Sequence, residues 1–431
     1  MEEDEFQQEL NNEIGKEGVA EVTDIGEEFE VLFTESSRYY IVSKNGDVSE
    51  AREMVKDNSP ADITTGKDGE ELEGRYEIWS IEDLVVLSNI SRGKGNYLKD
   101  GEIVDATRDV FSGDTIYLMR TLNFNSAASY SDLSMTWSYD AEENAYIIDG
   151  SSDKNLRELL TDKEGVGFTP ISEDTGSGNL MFAGIFDGQN NEIQNLYENG
   201  TTGGLFNSIY RATIKNLGLT NVDINNNKGV GGITNISYGG EFYNCYVTGN
   251  ISGSAVGALI GSARGKLTMI NCYSTANIQS TGGAGGLINY NDIGSILEIV
   301  NCYNSGNVST SVTGTSQTYN SVSGIIGGIY NTGTRNIINT LSMGNLSAPK
   351  MQVNTFYYAW GGATVGLENA YYLNSIVTDK TIINENSMEF TMNDEEVLNN
   401  LNQYVNTHKN DYEVELYNWT LDSNGLPTFE I

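Results

Sequence analysis

The sequence has few of the residues that build metal sites and nucleophilic sites. It contains one histidine, His408, and three cysteines in 431 residues. An HExxH zinc-peptidase motif needs two histidines, so the chain cannot carry one. His408 ends a helical pattern, where a cation interacts favourably with the helix dipole. No CxxC or Cys/His spacing exists, so neither a tetrahedral zinc site nor a disulfide framework is indicated, and the redox compartment stays open.

Positive charge and long apolar runs are also scarce. The chain has 60 acidic and 24 basic residues, a net charge of −36. So negative a surface repels phosphate backbones and anionic lipid headgroups, which excludes nucleic acid as a partner. No run approaches the ~18 apolar residues of a membrane span, and no signal-peptide pattern follows Met1, so we expect this chain to be soluble without membrane insertion. Aromatic residues make up 10% of it, which predicts a folded protein.

What the sequence does have is an internal repeat. Asn-Cys-Tyr occurs at 244–246, 271–273 and 301–303, which gives spacings of 27 and 30 residues. A pair of small residues followed by an apolar residue alternates with this motif. These pairs begin at Gly203, Gly231, Gly257, Gly285, Gly327 and Gly361. Self-similarity at this period predicts a solenoid.

The length and composition of each repeat unit indicate which type of solenoid the chain forms. Three short strands with turns fill roughly 28 residues, whereas a helical repeat would show 3.6-residue periodicity and less Gly and Asn. Leucine-rich repeats would need Leu at fixed offsets, but Ile, Val, Phe, Met and Cys exchange freely here. The prediction is a mainly β protein, a right-handed parallel β-helix with helical caps and a small N-terminal α+β module.

One asparagine position per turn predicts a corner. Apolar residues stand two positions before it and one after it, and residues three apart cannot both face inward on an unbroken strand. Asparagine tolerates left-handed backbone geometry, and stacked amides can hydrogen-bond along the axis. We therefore expect a structural asparagine ladder. Its members are Asn216, Asn244, Asn271, Asn301, Asn339 and Asn369.

The residues after the ladder define an inward row and an outward row. Cys245, Cys272 and Cys302 take the inward position as small stacked hydrophobes, although thiols on neighbouring turns could be near enough to bridge. The tyrosines that follow should point outward and stack about 4.8 Å apart. These candidate ligand-binding residues are Tyr246, Tyr273 and Tyr303, with Tyr371 at the same offset. Such a stripe suits sugars or protein partners, but ring stacking could merely stabilise the sheet, or the C-terminal segment could cover it.

The flanking regions divide the chain into four parts. Residues 1–55 predict a small α+β module, with a helix-prone start and strands within 28–49 that lead into an Asn45-Gly46 turn. Residues 56–75 are a linker, 76–385 the β-helix with its N-terminal capping helix, and 386–431 a helix-plus-strand cap. Ser80 precedes an amphipathic helical pattern and is positioned to cap it. Open solenoid ends expose sheet edges, so caps at both ends are expected.

A family resemblance is carried by Phe182-x-Gly-x-Phe-Asp-Gly188, Ile193-x-Asn-Leu196, Gly204-Leu-Phe206 and Ile214-Lys-Asn-Leu217. Residues 76–375 resemble the GLUG-type repeat of bacterial surface proteins. Such repeats occur in adhesin-like proteins and beside certain surface peptidases, so the resemblance implies export and display at the bacterial cell surface. More weakly, residues 1–55 resemble the region after the hydrophobic helix of Gram-positive prepilin-like proteins, which implies self-assembly. The hydrophobic helix itself is absent from this sequence.

No catalytic grouping can be named from the sequence. Polysaccharide lyases and hydrolases need clustered carboxylates with a basic residue, or a carboxylate pair. Acidic residues between 200 and 375 are sparse and do not recur at one position of the turn. Asp187 with Gly188 is the most motif-like acidic pair, but Asp-Gly is foremost a turn signal with a structural role. No calcium-binding loop motif is present, so calcium has no support from a motif and no cofactor is expected.

These observations predict an extracellular or cell-surface adhesin-like or structural display protein without turnover, whose export or anchor segment is not in this sequence. It would bind host or environmental glycans or surface proteins through the face of the β-helix. The alternative is a carbohydrate-active enzyme or a carbohydrate-binding module on the same scaffold. A groove lined by two carboxylates and a basic residue would favour the enzyme.

Overall fold

The protein is described from a computed structural model. It covers the strand backbones between residues 19 and 53, and residues 75–430 apart from 100, 174–179, 201–202, 293–294, 313–320, 331–332, 361–362 and 379. Residues 1–18 of the helix-prone start, the Asn45-Gly46 turn and residues 56–74 of the linker lie outside the described part. Residue 75, the predicted end of the linker, instead begins the strand Arg75–Ile78.

The N-terminal strands form one antiparallel sheet in the order of the chain. Val31 pairs with Tyr40 across its two central strands. The strands predicted within residues 28–49 are therefore neighbours in this sheet. The strands are Val19–Asp24, Glu28–Phe33, Arg38–Ser43 and Arg52–Glu53.

The rest of the chain is dominated by a parallel β-solenoid of about six turns. Each residue pairs with its equivalent one turn later, as in the series Ile214, Phe242, Met269, Ile299 and Ile337. All five side chains are fully buried in one continuous core. The predicted parallel β-helix is therefore confirmed.

Three faces of the solenoid belong to one continuous sheet, and several of its strands bend around a corner. The first face, before the asparagine corner, contains Arg75–Ile78, Thr115–Leu118, Ile185–Gln194, Phe206–Asn226, Thr234–Tyr243, Ile260–Ile270, Ile296–Val300, Arg335–Ile338 and Gly366–Glu368. The second face, after the corner, adds Leu122–Asn123, Tyr197–Gly200, Tyr246–Gly253, Tyr273–Ser274, Asn277–Ser280, Tyr303–Asn304, Val308–Thr310, Leu341–Ser342, Leu346–Ser347, Ala370–Leu373 and Ser387–Phe390. The third face, formed by the first parts of the long strands, adds Ile288–Asn291, Ile326–Tyr330 and Tyr357–Trp360.

Most turns contain a fourth short strand, so the expectation of three strands per turn is wrong. A separate six-stranded parallel sheet contains the first residues of the pairs that begin at Gly231, Gly257 and Gly285. Gly285 pairs with Ser323 on the next turn, so the expectation that Gly327 is its equivalent is wrong, and Gly327 lies in the strand Ile326–Tyr330. A Cβ added to Gly257 would lie 2.1 Å from the Ile260 oxygen, and one on Gly285 would lie 1.9 Å from the Ile288 oxygen. The close backbone approach explains why this narrow side needs small residues. Its strands are Gly229–Gly231, Ala255–Gly257, Ala284–Gly285, Ser321–Ser323, Gln352–Asn354 and Thr381–Ile382.

The first turns are covered by a buried helix, Ile81–Arg92. Ser80 and Asp83 form a capping box at its start, and Gly93 ends it with a φ of 62°. Every residue of the helix is buried because residues 127–172 wrap around it. Those residues include the short helix Leu156–Thr161 and the 3₁₀ turn Ala127–Ser129. The antiparallel pairs Asn96–Lys99 with Glu102–Asp105 and Ser138–Asp140 with Ala145–Ile147 complete this region.

The C-terminal segment, residues 395–430, consists of the helix Glu395–His408 and the paired strands Trp419–Leu421 and Pro427–Phe429. The sequence predicted a cap for the open end, but this segment lies along the flank of the solenoid and spans several turns. The last turn, which ends in the 3₁₀ turn Asn374–Ile376, is extended by the parallel strand Ser387–Phe390.

Within the described residues, no helix combines the length and apolar character needed to cross a membrane.

Candidate functional site

The asparagine corner is a chain of side-chain hydrogen bonds. All six asparagines have φ between 48° and 54°. Asn244 donates from Nδ2 to Oδ1 of Asn216 at 2.8 Å, and Asn271 and Asn301 repeat this contact at 2.8 Å. Asn339 and Asn369 continue it. The left-handed geometry and the stacked amides together fix this corner of the solenoid.

The first asparagine of the ladder, Asn216, donates its hydrogen bond to a carboxylate and not to another amide. At its start, Asp187 Oδ1 accepts from Asn216 Nδ2 at 3.0 Å and from the backbone N–H of Gln189 at 3.0 Å. Lys215 Nζ lies 3.1 Å from Asp187 Oδ2. A Cβ on Gly188 would lie 2.2 Å from the Asn216 oxygen, so this position needs glycine. Asp187 and Gly188 therefore have a structural role at the first turn of the ladder.

The three cysteines are buried, unbridged thiols in the inward row. Cys272 N–H donates to Cys302 Sγ at 3.3 Å, so thiols on neighbouring turns are close. Burial raises the pKa of Cys245 and Cys272 well above the ordinary value, which keeps both protonated. They fill core space and take no part in a surface site.

The predicted tyrosine stripe is a stack of rings. The centroids of Tyr246 and Tyr273 lie 4.8 Å apart with planes at 4°, and those of Tyr273 and Tyr303 lie 4.7 Å apart at 9°. Gly218 sits beneath Tyr246, since a Cβ there would lie 2.5 Å from the ring. Leu341 follows Tyr303 in the row, so Tyr371 does not continue the stack.

The C-terminal segment covers this stack and the ladder, so an open face of four tyrosines is not present. Phe429 packs against Tyr303 at 5.1 Å and against Tyr273 at 5.9 Å. Tyr303 is 4% exposed and Tyr371 is 3% exposed. The expectation that these two tyrosines contact a ligand is wrong because both are buried. The stack instead matches the alternative that the C-terminal segment covers the tyrosines.

A different part of the second face lies open beside the N-terminal region. A groove of about 770 Å³ runs along the solenoid there. Tyr139, Phe168 and Thr169 form one wall. Outward side chains of successive turns form the other wall, because equivalent positions of neighbouring turns align. They are Asn199, Asn225, Ser252 and Gln279, followed by Thr281 and Ser311.

These aligned polar residues are linked to one another and stay accessible. Ser252 Oγ donates to Asn225 Oδ1 at 3.0 Å, and Asn225 Nδ2 donates to Asn199 Oδ1 at 3.4 Å. Asn225 and Gln279 are exposed. Among the described lining residues, Glu198 is the one with a carboxyl group. The groove thus offers an array of neutral donors and acceptors at one-turn spacing.

Glu198 borders the groove but belongs to the inward row. It pairs with Ile224, and it is 1% exposed. Its Oε2 accepts from the Gly204 N–H at 2.8 Å, while Oε1 has no partner in the described structure. Asn226, which also lines the groove, has an unpartnered Nδ2. Burial raises the pKa of Glu198 well above the ordinary carboxyl value, so it is protonated at neutral pH.

The carboxyl groups of the groove bear on bond cleavage. Glycoside hydrolysis uses two carboxyl groups across the scissile bond, and the described lining residues supply one. In the described part of the chain, no group of three or more His, Cys, Asp or Glu side chains is arranged to hold a metal ion. Neutral amides and hydroxyls beside aromatic rings can position a polar ligand without turnover.

The sequence contains a signal for the groove in the strand that follows the asparagine corner. An asparagine before Ile or Val recurs once per turn at Asn250, Asn277 and Asn307, and the residue two positions later is polar. Alternation within a strand places both outward on the same face. What the sequence lacked was the opposite wall, because Tyr139 and Phe168 come from the region before the repeat.

The fold and the groove define the class, a parallel β-solenoid with an open polar face. No family model matches the chain, and no curated protein matches it. Among solved structures, it is similar to a Bacteroides ovatus protein assigned provisionally as an immunoglobulin A1 protease, with a TM-score of 0.52 and 20% identity over 83% of this chain and 92% of that one. That similarity supports the fold alone.

A second solved structure, described as an IgA1 protease, gives a TM-score of 0.42 and 15% identity. The alignment covers 87% of this chain and 26% of that one, so this chain spans about a quarter of that protein.

Proposed function

We propose that the protein is a non-catalytic surface display protein of a bacterium, which binds neutral oligosaccharides lengthwise in the polar groove. The observation that carries this proposal is the row Asn199, Asn225, Ser252 and Gln279 on four successive turns. The turns are about 4.8 Å apart, a repeat comparable in scale to a sugar ring. The resemblance of residues 76–375 to the GLUG-type repeat supports the proposal of an extracellular location.

The chemistry of the groove matches that of a neutral glycan. Sugar hydroxyls both donate and accept, as do the amides of Asn225 and Gln279. Tyr139, which is partly exposed, adds ring surface, and amphipathic aromatic residues suit the apolar face of a pyranose. Few charges have to be desolvated, so a neutral ligand loses little on entering.

Glycan-array binding followed by calorimetry tests the proposal with the double variant Asn225→Ala/Gln279→Ala. Loss of two hydrogen-bonding amides should weaken the affinity for the best neutral oligosaccharide at least ~10-fold. The double variant Asn406→Ala/Gln403→Ala removes two exposed amides from the C-terminal helix, which does not line the groove. It should bind as the unmodified protein does. Equal affinity for all three proteins, or no glycan bound at all, would contradict the proposal.

The alternative is a carbohydrate-active enzyme, and Glu198 is the observation in its favour. A buried carboxyl with a raised pKa is a typical general acid, and here it borders a groove. The provisional protease assignment of the Bacteroides ovatus neighbour concerns that protein. Chromatography of oligosaccharides incubated with the protein separates the two functions. Product that disappears in Glu198→Gln would establish the enzyme, whereas binding with no product supports display.

A further inference from the structure

A second open site lies on the corner between the third and first faces, away from the polar groove. Tyr210 pairs with Tyr238 on the next turn, and Tyr238 pairs with Arg264 on the turn after that. Arg264 Nη1 donates to the Tyr238 hydroxyl at 2.7 Å and its guanidinium lies 5.0 Å from the ring centroid. Asp292 lies 3.3 Å from Arg264 Nε. This row places aromatic rings and charges on one outward line.

A hollow of about 630 Å³ opens beside the row because glycines form its floor. Gly239, Gly240 and Gly265 have φ of 81°, 135° and 69°, which strongly favour glycine at the corner. Without side chains there, Tyr210 stays 36% exposed at the rim. The hollow shares no lining residue with the polar groove.

The charges around the hollow differ in sign from the chain as a whole. Arg211 lies over the Tyr210 ring at 5.2 Å, and Arg211 and Lys266 are both exposed. No salt bridge of the described residues involves either cation. Glu241 is the one carboxylate among the described lining residues, and it accepts from Thr213 Oγ1 at 3.1 Å.

Two cations therefore face one hydrogen-bonded carboxylate in a protein of net charge −36. The Debye length at physiological salt is about 8 Å, so the two local cations outweigh the distant acidic surface at this site.

We propose that the hollow binds a carboxylated sugar, a hexuronate residue of an acidic oligosaccharide. The carboxylate would lie between Arg211 and Lys266, and the pyranose ring would rest on the exposed Tyr210 ring. Charge complementarity selects an anion, and an aromatic face beside the cations selects a ligand with a rigid ring. An acidic peptide offers the charge without that rigid face. This site is independent of the neutral glycan site.

Calorimetry with trigalacturonate and its fully methyl-esterified form tests the proposal, because the two probes differ in charge and share their rings. We expect the acid to bind at least ~10-fold more tightly than the ester, since charge-assisted contacts are the stronger ones. The double variant Arg211→Gln/Lys266→Gln should lose at least ~10-fold for the acid, and Tyr210→Ala should weaken it several-fold.

Lys350→Gln/Lys409→Gln is the matched control, since it changes the net charge equally at exposed positions that do not line the hollow. It should bind the acid unchanged. Equal binding of acid and ester, no binding of the acid, or unaltered affinity in Arg211→Gln/Lys266→Gln would overturn the proposal. Hexaglutamate bound as tightly as trigalacturonate would also overturn it, because the site would then be a general anion site. Thermal melting of each variant confirms that it is folded.

Discussion

At the scale of single residues, Asn301 shows how much the corner asparagine contributes. Its amide donates to Asn271 Oδ1 and to the Tyr417 oxygen, and its Oδ1 accepts from Asn339 and from the Trp419 indole. The side chain is fully buried and the backbone has a φ of 53°. The Asn301 side chain thus hydrogen-bonds to the turns on both sides and to the C-terminal segment. Its backbone also adopts a geometry that few other residues tolerate.

Replacing Asn301 by Ala should destabilise the fold by roughly 3–5 kcal/mol, because buried partners lose their hydrogen bonds and the left-handed backbone becomes strained. Asn301→Gly removes the same hydrogen bonds without the strain, so it should be less damaging. Urea unfolding midpoints measure both.

Asn221 supplies the matched control, since it has the same φ of 53° on the exposed surface. Asn221→Gly should shift the midpoint little. A small effect at Asn301 would mean that the ladder hydrogen bonds do not hold the turns together.

Glu82, in the buried helix, predicts a pH dependence of stability. Burial raises its pKa to about 7, although the backbone N–H groups of Ser131 and Asp132 act in the opposite direction. Between its ordinary pKa of 4.5 and about 7, the folded state keeps a proton that the unfolded state has released. Stability should therefore fall as pH rises through this window, by up to roughly 3 kcal/mol from this group. Burial also raises the pKa of Asp83, to about 6, which adds a loss of the same sign.

Unfolding midpoints at pH 4.5, 6 and 8 check this dependence. Glu82→Gln should flatten the profile, whereas the exposed Glu142→Gln should leave its shape unchanged. A profile that rises over this range in the unmodified protein would be the opposite of the expected sign.

At the scale of elements, the C-terminal segment is what the sequence could least predict. The sequence predicts the helix itself, because Val397, Leu401 and Val405 recur at helical spacing and are buried, whereas Met392 precedes the helix and is 57% exposed. The position of the segment could not be predicted, because its partners are outward residues of the solenoid such as Tyr273 and Tyr303. Periodicity shows which residues need covering but not which segment covers them. The corner, by contrast, was predictable from a single turn, because the constraint on Asn is local.

Phe429→Ala tests whether the segment is part of the core. Phe429 packs against Tyr273, Tyr303 and Trp419, the last at 4.5 Å. Its truncation should cost roughly 3–5 kcal/mol and expose the tyrosine stack to an apolar dye. Urea unfolding and dye fluorescence measure the two effects. Met392→Ala, a change at an exposed apolar residue, is the control and should be nearly neutral.

At the scale of the whole molecule, charge separates the two proposed sites. The polar groove is essentially neutral, and the hollow beside Tyr210 has two unbridged cations. Both lie on a chain of net charge −36. The composition alone predicted that anions are repelled in general. It could not show that Arg211 and Lys266, 55 residues apart in the sequence, line one hollow from two turns apart.

Salt should therefore affect the two sites differently. Between 50 and 500 mM NaCl, we expect the affinity for a neutral oligosaccharide to change less than about twofold, since screening acts on charges. Affinity for trigalacturonate should fall several-fold over the same range. Calorimetry at three salt concentrations checks both, and a neutral ligand that dissociates with added salt would argue against the neutral groove.

The contacts between the C-terminal segment and the ladder set the number of turns. Glu415 and Tyr417 meet Asn271 and Asn301, and Leu401 meets Asn339, so each contact needs its asparagine at a given height along the axis. Most repeat arrays can gain or lose a unit by recombination and remain folded. Here, duplication or deletion of one turn would put the closing residues beside the wrong partners. Repeat copy number in this protein should consequently be held constant during its divergence, even where the sequence of each turn is free to vary.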